Sequence, residues 1–231
     1  MSPKRILGLA IAAATARASS VAFAAMGTPE RVRGTIASAT ADSVTVDTRA
    51  DKPVTVALTG DTSYLKVEKS NLNKVEKGSY IGTATKDVGG TQVALEVVIF
   101  PPSMRGAGDG HYTWDKIRDT TLSGGAQTSS SMTNGNVSAV STSAATVNST
   151  MTNGDVAATQ SQGGVTHLVV TYKGGQEDVL VPPTAPIVIF RPGTKALVAK
   201  GNDVFIKATQ TGSGLAANTV AVGVDGVKPP M

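Results

Sequence analysis

The chain has 231 residues, with 21 lysines and arginines, 17 aspartates and glutamates, two histidines and no cysteine. The missing cysteines exclude disulfides, zinc–cysteine sites and thiol nucleophiles, and two histidines exclude a histidine-rich transition-metal site. After residue 24, no continuous apolar run reaches the length of about 20 residues that a membrane helix needs. The length predicts one or two domains.

Residues 1–24 have the pattern of a secretory signal peptide. A charged start is followed by the apolar stretch Ile6–Ala16, and small residues precede a cleavage point after Ala24. A cut after Ala18 fits the same rule. The alternative is a buried amphipathic helix, but the segment is alanine-rich, uncapped and terminal, which favours export. We therefore predict a soluble periplasmic or secreted protein, with no membrane insertion after signal cleavage.

Export also changes the charge of the chain. Removal of Lys4, Arg5 and Arg17 with the signal leaves 18 basic and 17 acidic side chains, so the mature form is nearly neutral. A neutral protein has little long-range attraction for nucleic acid or for an anionic membrane. Aromatic residues make up only 4% of the chain, which gives few platforms for stacking bases. We predict that nucleic acid is not a partner.

Residues 29–100 predict a first β-barrel unit. Ser43–Thr48 and Val54–Leu58 alternate apolar and polar residues, which is typical of half-buried strands. Ser70 is a candidate N-cap for a short helix at Asn71–Glu76, between the third and fourth strands. Five strands with a helix in this place follow the order of an OB-type barrel, although a small open sheet or a sandwich has the same pattern.

The same pattern returns in residues 151–226 and predicts an internal duplication. A Lys-Gly turn ending at Gly78 precedes the strand Ser79–Thr85, and another ending at Gly201 precedes the strand Val204–Thr209. Equivalent positions lie about 120–124 residues apart, as one duplication would produce. We therefore expect an all-β protein of two tandem five-stranded OB-like barrels with the same strand order. Each has a short helix or turn between strands three and four, and both turn glycines are expected to have positive φ.

Residues 101–150 predict a connecting segment rich in Gly, Ser and Thr, which contains a His-Tyr-x-Trp-Asp loop at residues 111–115. Within it, the motif Met132–Val137 recurs as Met151–Val156. This local repeat predicts an extra hairpin or an alternative first strand for the second unit.

Several segments suggest a family. The Gly-x-Ile-Ala sequence that starts at Gly34, the Val-Thr-Val strands and the Lys-Gly-x-Tyr-Ile sequence at 77–81 resemble a bacterial exported domain of unknown function. Segments that are similar to proteobacterial members are Pro102–Gly106, Gly110–Tyr112, Trp114–Asp115, Met151–Asn153, Thr171–Gly175 and Val181–Pro183. The resemblance covers most of residues 29–231.

This resemblance implies export and small β-barrels, often in tandem, and it implies no established activity or functional residues. Some members of the group bear the name metal ABC transporter permease. A chain without transmembrane helices would at most be a soluble accessory to transport.

Catalytic signatures are absent from the chain. It has no Gly-x-Ser-x-Gly elbow, no phosphate-binding loop and no His-Glu-x-x-His motif, so we predict that it is not an enzyme. One candidate metal site remains, formed by Asp109, His111 and Asp115, because carboxylates and imidazole are common ligands of divalent ions. The alternative is that Tyr112 and Trp114 pack this segment onto a barrel while the polar residues face water. No cofactor beyond a divalent metal is indicated.

These observations predict a non-catalytic periplasmic binding or envelope-interaction protein, whose partner is an unknown envelope protein or polysaccharide. OB-type barrels bind oligosaccharides on one face, to which Tyr80, Tyr172 and Phe205 would contribute, although their places in strands favour core packing. The alternative function is a soluble metal-handling accessory protein associated with transport. A hydrolase that uses His111 with a neighbouring aspartate has the least support, and His167 is interpreted as a surface residue.

Overall fold

The computed structural model describes residues 28–48, 52–122, 125–143 and 164–230. The predicted signal peptide and the second copy of the Met-Thr-Asn-Gly motif, at Met151–Val156, lie outside these residues. Within them, no helix is long and apolar enough to cross a membrane.

The protein is all-β, as predicted, and the described residues form fifteen strands. In chain order the strands are β1 (Pro29–Ala39), β2 (Ser43–Thr48), β3 (Pro53–Ala57), β4 (Ser63–Lys69), β5 (Tyr80–Val88), β6 (Thr91–Ile99), β7 (Gly110–Thr113), β8 (Ile117–Arg118), β9 (Gln127–Thr128), β10 (Ser131–Ser143), β11 (Val165–Tyr172), β12 (Gly175–Val181), β13 (Ile187–Pro192), β14 (Asp203–Thr211) and β15 (Gly214–Gly223). Thirteen of them form one mixed sheet, and β8 pairs only with β9.

The predicted period of two is visible in burial. In β2, Val44 and Val46 are fully buried, while Thr45 between them is partly exposed. In β11, Leu168 and Val170 alternate with partly exposed neighbours in the same way. One face of each strand therefore packs into a core, as the alternating sequence requires.

Two closed rings of strands exist within the sheet. Ring A runs β1–β2–β3–β15–β14 and back to β1, and ring B runs β10–β11–β12–β6–β5 and back to β10. Each ring closes through one parallel pair, β3 with β15 in ring A and β12 with β6 in ring B. Each ring encloses its own cluster of buried aliphatic side chains.

Each ring takes strands from both halves of the chain, which differs from the expectation that each half closes its own barrel. The physical reason is β4, a strand that the sequence patterns did not predict. Leu65 and Val67 of this strand are buried. The seven residues of the strand carry the chain for about 20 Å from ring A to ring B. β13 makes the reverse crossing and pairs antiparallel with β4. The two crossing strands contribute to a third core cluster, which includes Phe100 and Phe190.

The predicted helix at Asn71–Glu76 is only a 3-10 turn, at Leu72–Lys74, and its N-cap is Asn71 rather than Ser70. The Asn71 side chain accepts a hydrogen bond from the Asn73 amide. Further 3-10 turns lie at Pro102–Met104 and Lys195–Leu197. The last of these takes the equivalent position before the fourth strand of ring A.

The two rings contain matched hydrogen bonds at equivalent places. The Gly201 amide donates to the Ile36 carbonyl in ring A, and the Gly78 amide donates to the Val137 carbonyl in ring B. Gly78 and Gly201 both have φ of 90°, so the prediction of equivalent positive-φ turns is confirmed. β1 and β10 each shift register directly after these residues, at Ile36 and Val137.

These matches give a residue-by-residue correspondence between the rings. β1 corresponds to β10, β2 to β11, β3 to β12, β14 to β5 and β15 to β6. Gly135 is therefore the counterpart of Gly34. The first copy of the repeated motif, Met132–Val137, lies in β10, the first strand of ring B.

Candidate functional site

The predicted metal ligands Asp109 and His111 have separate partners. Asp109 accepts a hydrogen bond from the Lys173 backbone amide at 3.3 Å. His111 lies on β7, and its Nδ1 is 2.8 Å from the Thr133 hydroxyl of β10. The two side chains therefore attach this segment to ring B through different contacts.

The third predicted ligand, Asp115, lies between two arginines of β1. Its carboxylate oxygens are 3.0 Å from Arg31 and 2.7 Å from Arg33. Burial lowers the pKa of Arg33, and the hydrogen bond to Asp115 opposes that effect. This carboxylate is thus neutralised by guanidinium groups. Among the described residues, no three His, Asp or Glu side chains come together as a metal site.

The aromatic residues of the loop pack as the alternative interpretation proposed. The Arg31 guanidinium lies 3.9 Å from the centre of the Trp114 ring, and Tyr112 meets Trp114 edge-on at 5.9 Å. The Tyr112 hydroxyl accepts a hydrogen bond from the Asn134 side chain at 3.0 Å. The segment after β7 therefore spans from ring B to β1 of ring A.

The burial and contacts of the other residues considered in the sequence are as follows. Tyr80 and Phe205 are buried in the cluster between the rings, which agrees with core packing. His167 is on the surface, as predicted, with 36% of its side chain exposed and its Nδ1 3.6 Å from Asp178. Tyr172 is half-buried at the end of β11, beside His111.

His111 fills one end of ring B. Its imidazole stacks on Tyr172 with a centroid distance of 6.3 Å, and its Nδ1 is 3.9 Å from a Glu177 carboxylate oxygen. Together with Thr133, these residues come from β10, β11 and β12. We call this end of each ring its mouth. In ring B it is where β10 begins, β11 ends and β12 begins, and in ring A it is where β1 begins, β2 ends and β3 begins.

β7 reaches this position by pairing with the edge of β10. The antiparallel register places Thr113 opposite Ser131, Tyr112 opposite Met132 and His111 opposite Thr133. β11 pairs with β10 only from Asn136 onwards, so the edge before that residue is available to β7. The added strand and the inserted side chain are therefore parts of one arrangement.

The segment after β8 is anchored to ring B by a partly buried ion pair. The Lys86 ammonium is 2.7 Å from the Asp119 carboxylate, whose residue is only 5% exposed. The same carboxylate accepts hydrogen bonds from the backbone and the hydroxyl of Thr121. Burial alone raises the pKa of Asp119, but the hydrogen bonds from Lys86 and Thr121 outweigh it and hold that pKa below its usual value.

We expect Asp119→Asn to lower the free energy of unfolding by about 1–3 kcal/mol at pH 7. Because the folded pKa is depressed, the carboxylate stabilises the fold above its unfolded pKa of about 3.9 and loses this effect as the pH falls through the folded value. Urea unfolding at pH 7 and pH 3 therefore gives a difference between variant and wild type that shrinks at pH 3. The exposed Asp61→Asn is the control, and an equal difference at both pH values would contradict this assignment.

Ring A has a cleft at its mouth, with a volume of about 390 Å³. Val54 and Leu215 in its lining also pack on the ring A core, and Val32 belongs to that core. Polar and charged residues line the rest. The full lining is Glu30, Arg31, Val32, Arg33, Thr48, Val54, Lys116, Gln127 and Leu215.

The cleft of ring A coincides with the place that His111 fills in ring B. By the strand correspondence, Val32 is the counterpart of Thr133, and Val54 is the counterpart of Glu177. These counterparts in ring B are two of the residues that contact His111. The same part of the fold is thus closed by β7 in ring B and forms a cleft in ring A.

The ring A cleft is not evident from the sequence, because its lining comes from β1, β2, β3, β15 and the segment after β7. Val32, Val54 and Leu215 look like ordinary strand residues, and only the fold brings them together. One signal was present, since an alignment of Gly34 with Gly135 would have paired Val32 with Thr133. The second copy of the motif, Met151–Val156, offers a competing match for Gly34 at Gly154.

The chain matches no family model, no curated protein and no solved structure in the three comparisons. The resemblance to an exported β-barrel domain therefore stays a prediction.

Proposed function

We propose that this is an exported, non-catalytic binding protein whose cleft in ring A binds a protein or polysaccharide of the cell envelope. The observation that carries the proposal is the difference between the two mouths. The two rings have the same strand pairings, yet among the described residues β7 and His111 close the mouth of ring B and no strand closes that of ring A. The ring A cleft is the place where a separate molecule would make the corresponding contacts.

We further propose that the two rings are OB-like barrels with exchanged strands. In each ring the first strand pairs with the second and the fourth, and the third strand pairs in parallel with the fifth. That is the connectivity of a five-stranded OB-type Greek-key barrel. OB-type barrels use one face and its loops for oligonucleotides or oligosaccharides, and the near-neutral mature charge favours the second class.

The lining chemistry of the cleft supports binding rather than catalysis. Three aliphatic side chains contribute apolar surface, which gains free energy when a ligand removes it from water. The charged lining residues are Glu30, Arg31, Arg33 and Lys116, and Asp115 pairs with the two arginines. Three cations against two carboxylates leave a local excess of one positive charge. A concave apolar surface with a few polar groups is the usual form of a binding pocket.

The metal-handling alternative has no comparable support. Asp109, His111 and Asp115 contact Lys173, Thr133 and two arginines respectively. Packing and charge pairing therefore account for the positions of these three side chains without a metal ion.

Filling the cleft is expected to weaken binding at least tenfold. Val54→Trp places an indole in the cleft, whereas Thr55→Trp is its matched control, because Thr55 is exposed on the opposite face of the same strand. The mature protein, residues 25–231, is titrated against purified peptidoglycan sacculi and against solubilised envelope proteins. Binding should fall for Val54→Trp and stay within about twofold of wild type for Thr55→Trp.

Thermal unfolding of both variants checks that they fold. Equal binding by wild type and Val54→Trp, or no saturable binding to either preparation, would contradict the proposal.

A further inference from the structure

A short edge of β1 beside the cleft lacks the strand neighbour that its counterpart has. Glu30–Val32 pair with β14 on one side, whereas β2 pairs with β1 only from Gly34 onwards. In ring B, the corresponding residues Ser131–Thr133 pair with β5 on one side and with β7 on the other. Among the described residues, no strand takes the place of β7 in ring A. A strand edge of this kind presents backbone donors and acceptors to another chain.

The mouth of ring A also has a different chemistry from that of ring B. Thr133 and Glu177 contact the imidazole of His111, but the corresponding residues in ring A are Val32 and Val54. The correspondence also places Leu215 where ring B has Gln92. A side chain inserted at this mouth would meet aliphatic groups, so the matching anchor is aliphatic or phenyl rather than imidazole.

We propose that the partner of ring A is a protein that adds an extended segment to the β1 edge at Glu30–Val32. The segment runs antiparallel to β1 and places one large apolar side chain, opposite Val32, in the cleft. This inference rests on the proposed binding function and names the class of its ligand. Main-chain hydrogen bonds supply part of the affinity and the anchored side chain supplies selectivity, as in other cases of strand addition.

The pairing of β7 with β10 provides the template for how a partner segment would lie against β1. His111 is opposite Thr133, and its neighbours Tyr112 and Thr113 continue the antiparallel register along β10. A partner segment in ring A would occupy the same register, with its anchor opposite Val32 and its next residue opposite Arg31. β7 is tied to ring B by the chain itself, so a free peptide competes poorly there because of the high effective concentration of β7.

The probes are capped hexapeptides with the sequence of Gly108–Thr113, in which each amino acid in turn replaces His111. Binding to the mature protein is followed by NMR titration. We expect Leu or Phe at the anchor position to bind at least tenfold more tightly than Ala, with amide shifts centred on Glu30–Val32. No binding by any member of the set would overturn the inference.

Two further measurements test the strand geometry itself. N-methylation of successive amides in the best peptide should abolish binding at alternate positions only, because an antiparallel strand directs every second amide to its neighbour. The double variant Val32→Thr, Val54→Glu gives ring A the chemistry of ring B, and should shift the preferred anchor from Phe towards His. Strand addition would be contradicted if the double variant weakened the binding of the Phe and His peptides equally. It would also be contradicted if methylation of every amide in turn abolished binding.

Together, the peptide titrations and the Val54→Trp variant test the strand proposal and the proposed binding function separately. If no peptide binds but Val54→Trp blocks binding of sacculi, the ligand is a polysaccharide and only the strand proposal fails. If Val54→Trp changes the binding of neither peptide nor envelope material, the cleft is not the site and both proposals fail.

Discussion

A chain cut between Leu122 and Gly125 is expected to remain a single particle under native conditions. The cut separates β1–β8 from β9–β15, yet each ring contains strands from both fragments. In ring A, β1 of the first fragment pairs with β14 of the second through seven residue pairs, from Pro29 with Thr209 to Thr35 with Asp203. Release of the fragments would open both rings and expose all three buried clusters. This cost makes dissociation equivalent to unfolding.

The experiment replaces the two residues between Leu122 and Gly125 with a protease recognition site. Size-exclusion chromatography with light scattering should give the same mass before and after cleavage in buffer, and two smaller species in urea. Separated fragments should lack the far-UV spectrum of the intact protein and regain it on mixing. The uncut protein in the same urea series is the control. Two separated fragments that each keep a native β spectrum would instead show that each half closes its own ring.

Gly34→Ala and Gly135→Ala are each expected to cost about 3 kcal/mol or more of unfolding free energy. A methyl group at Gly34 would overlap the carbonyl oxygen of Asp47, and one at Gly135 would overlap that of Thr171. Both obstacles are backbone atoms of the paired second strand, so relief requires separation of the strands. This close approach is the reason for glycine at both places, since neither residue has positive φ.

Thermal and urea unfolding measure the effect, which corresponds to a lowering of Tm by about 6 °C or more for a chain of this size. Gly60→Ala is the matched control, because a methyl group at Gly60 would meet no atom within 4 Å. Similar losses at Gly34 and Gly135 would support the equivalence of the two rings. Stability within about 0.5 kcal/mol of wild type for either variant would show that the strands separate easily there.

Local features of the fold were predictable from the sequence because they depend on neighbouring residues. The alternation in Ser43–Thr48 follows from the period of a strand, and the φ of Gly78 and Gly201 follows from a Lys-Gly turn before a strand. β4 was missed because Lys66 and Glu68 interrupt its apolar residues and suggest a solvated surface. In the structure, Leu65 and Val67 face the cluster between the rings, a partner that no local pattern reveals.

The exchange of strands was not predictable for a related reason. Both ways of closing a ring, within one half or between halves, bury the same alternating faces and use the same turns. The choice depends on β4 and β13, whose pairing joins residues such as Phe190 and Val67 over a long stretch of chain. Only the three-dimensional structure distinguishes these two solutions.

The candidate metal site illustrates the limit of reasoning from nearby residues. Asp109, His111 and Asp115 are close in sequence, but Asp115 finds Arg31 at a separation of 84 residues. That ion pair, which is partly exposed, changes the role of the carboxylate from a possible ligand to a contact between segments. His111 was a candidate metal ligand in the sequence, and its observed contacts are with Thr133, Tyr172 and Glu177 at the mouth of ring B.

The exchange of strands also determines when the protein is able to fold. Thr35 pairs with Asp203, 168 positions later, so ring A is incomplete until almost the whole chain has been made. High contact order of this kind slows folding, because loop-closure entropy is lost before the contacts that compensate for it form. A growing chain therefore carries the paired strands β1, β2 and β3 without β14 and β15 through most of its synthesis, and every product truncated before β14 has an open ring. We expect such products to aggregate. The N-terminal strands therefore stay soluble only when the C-terminal strands are present to complete the ring.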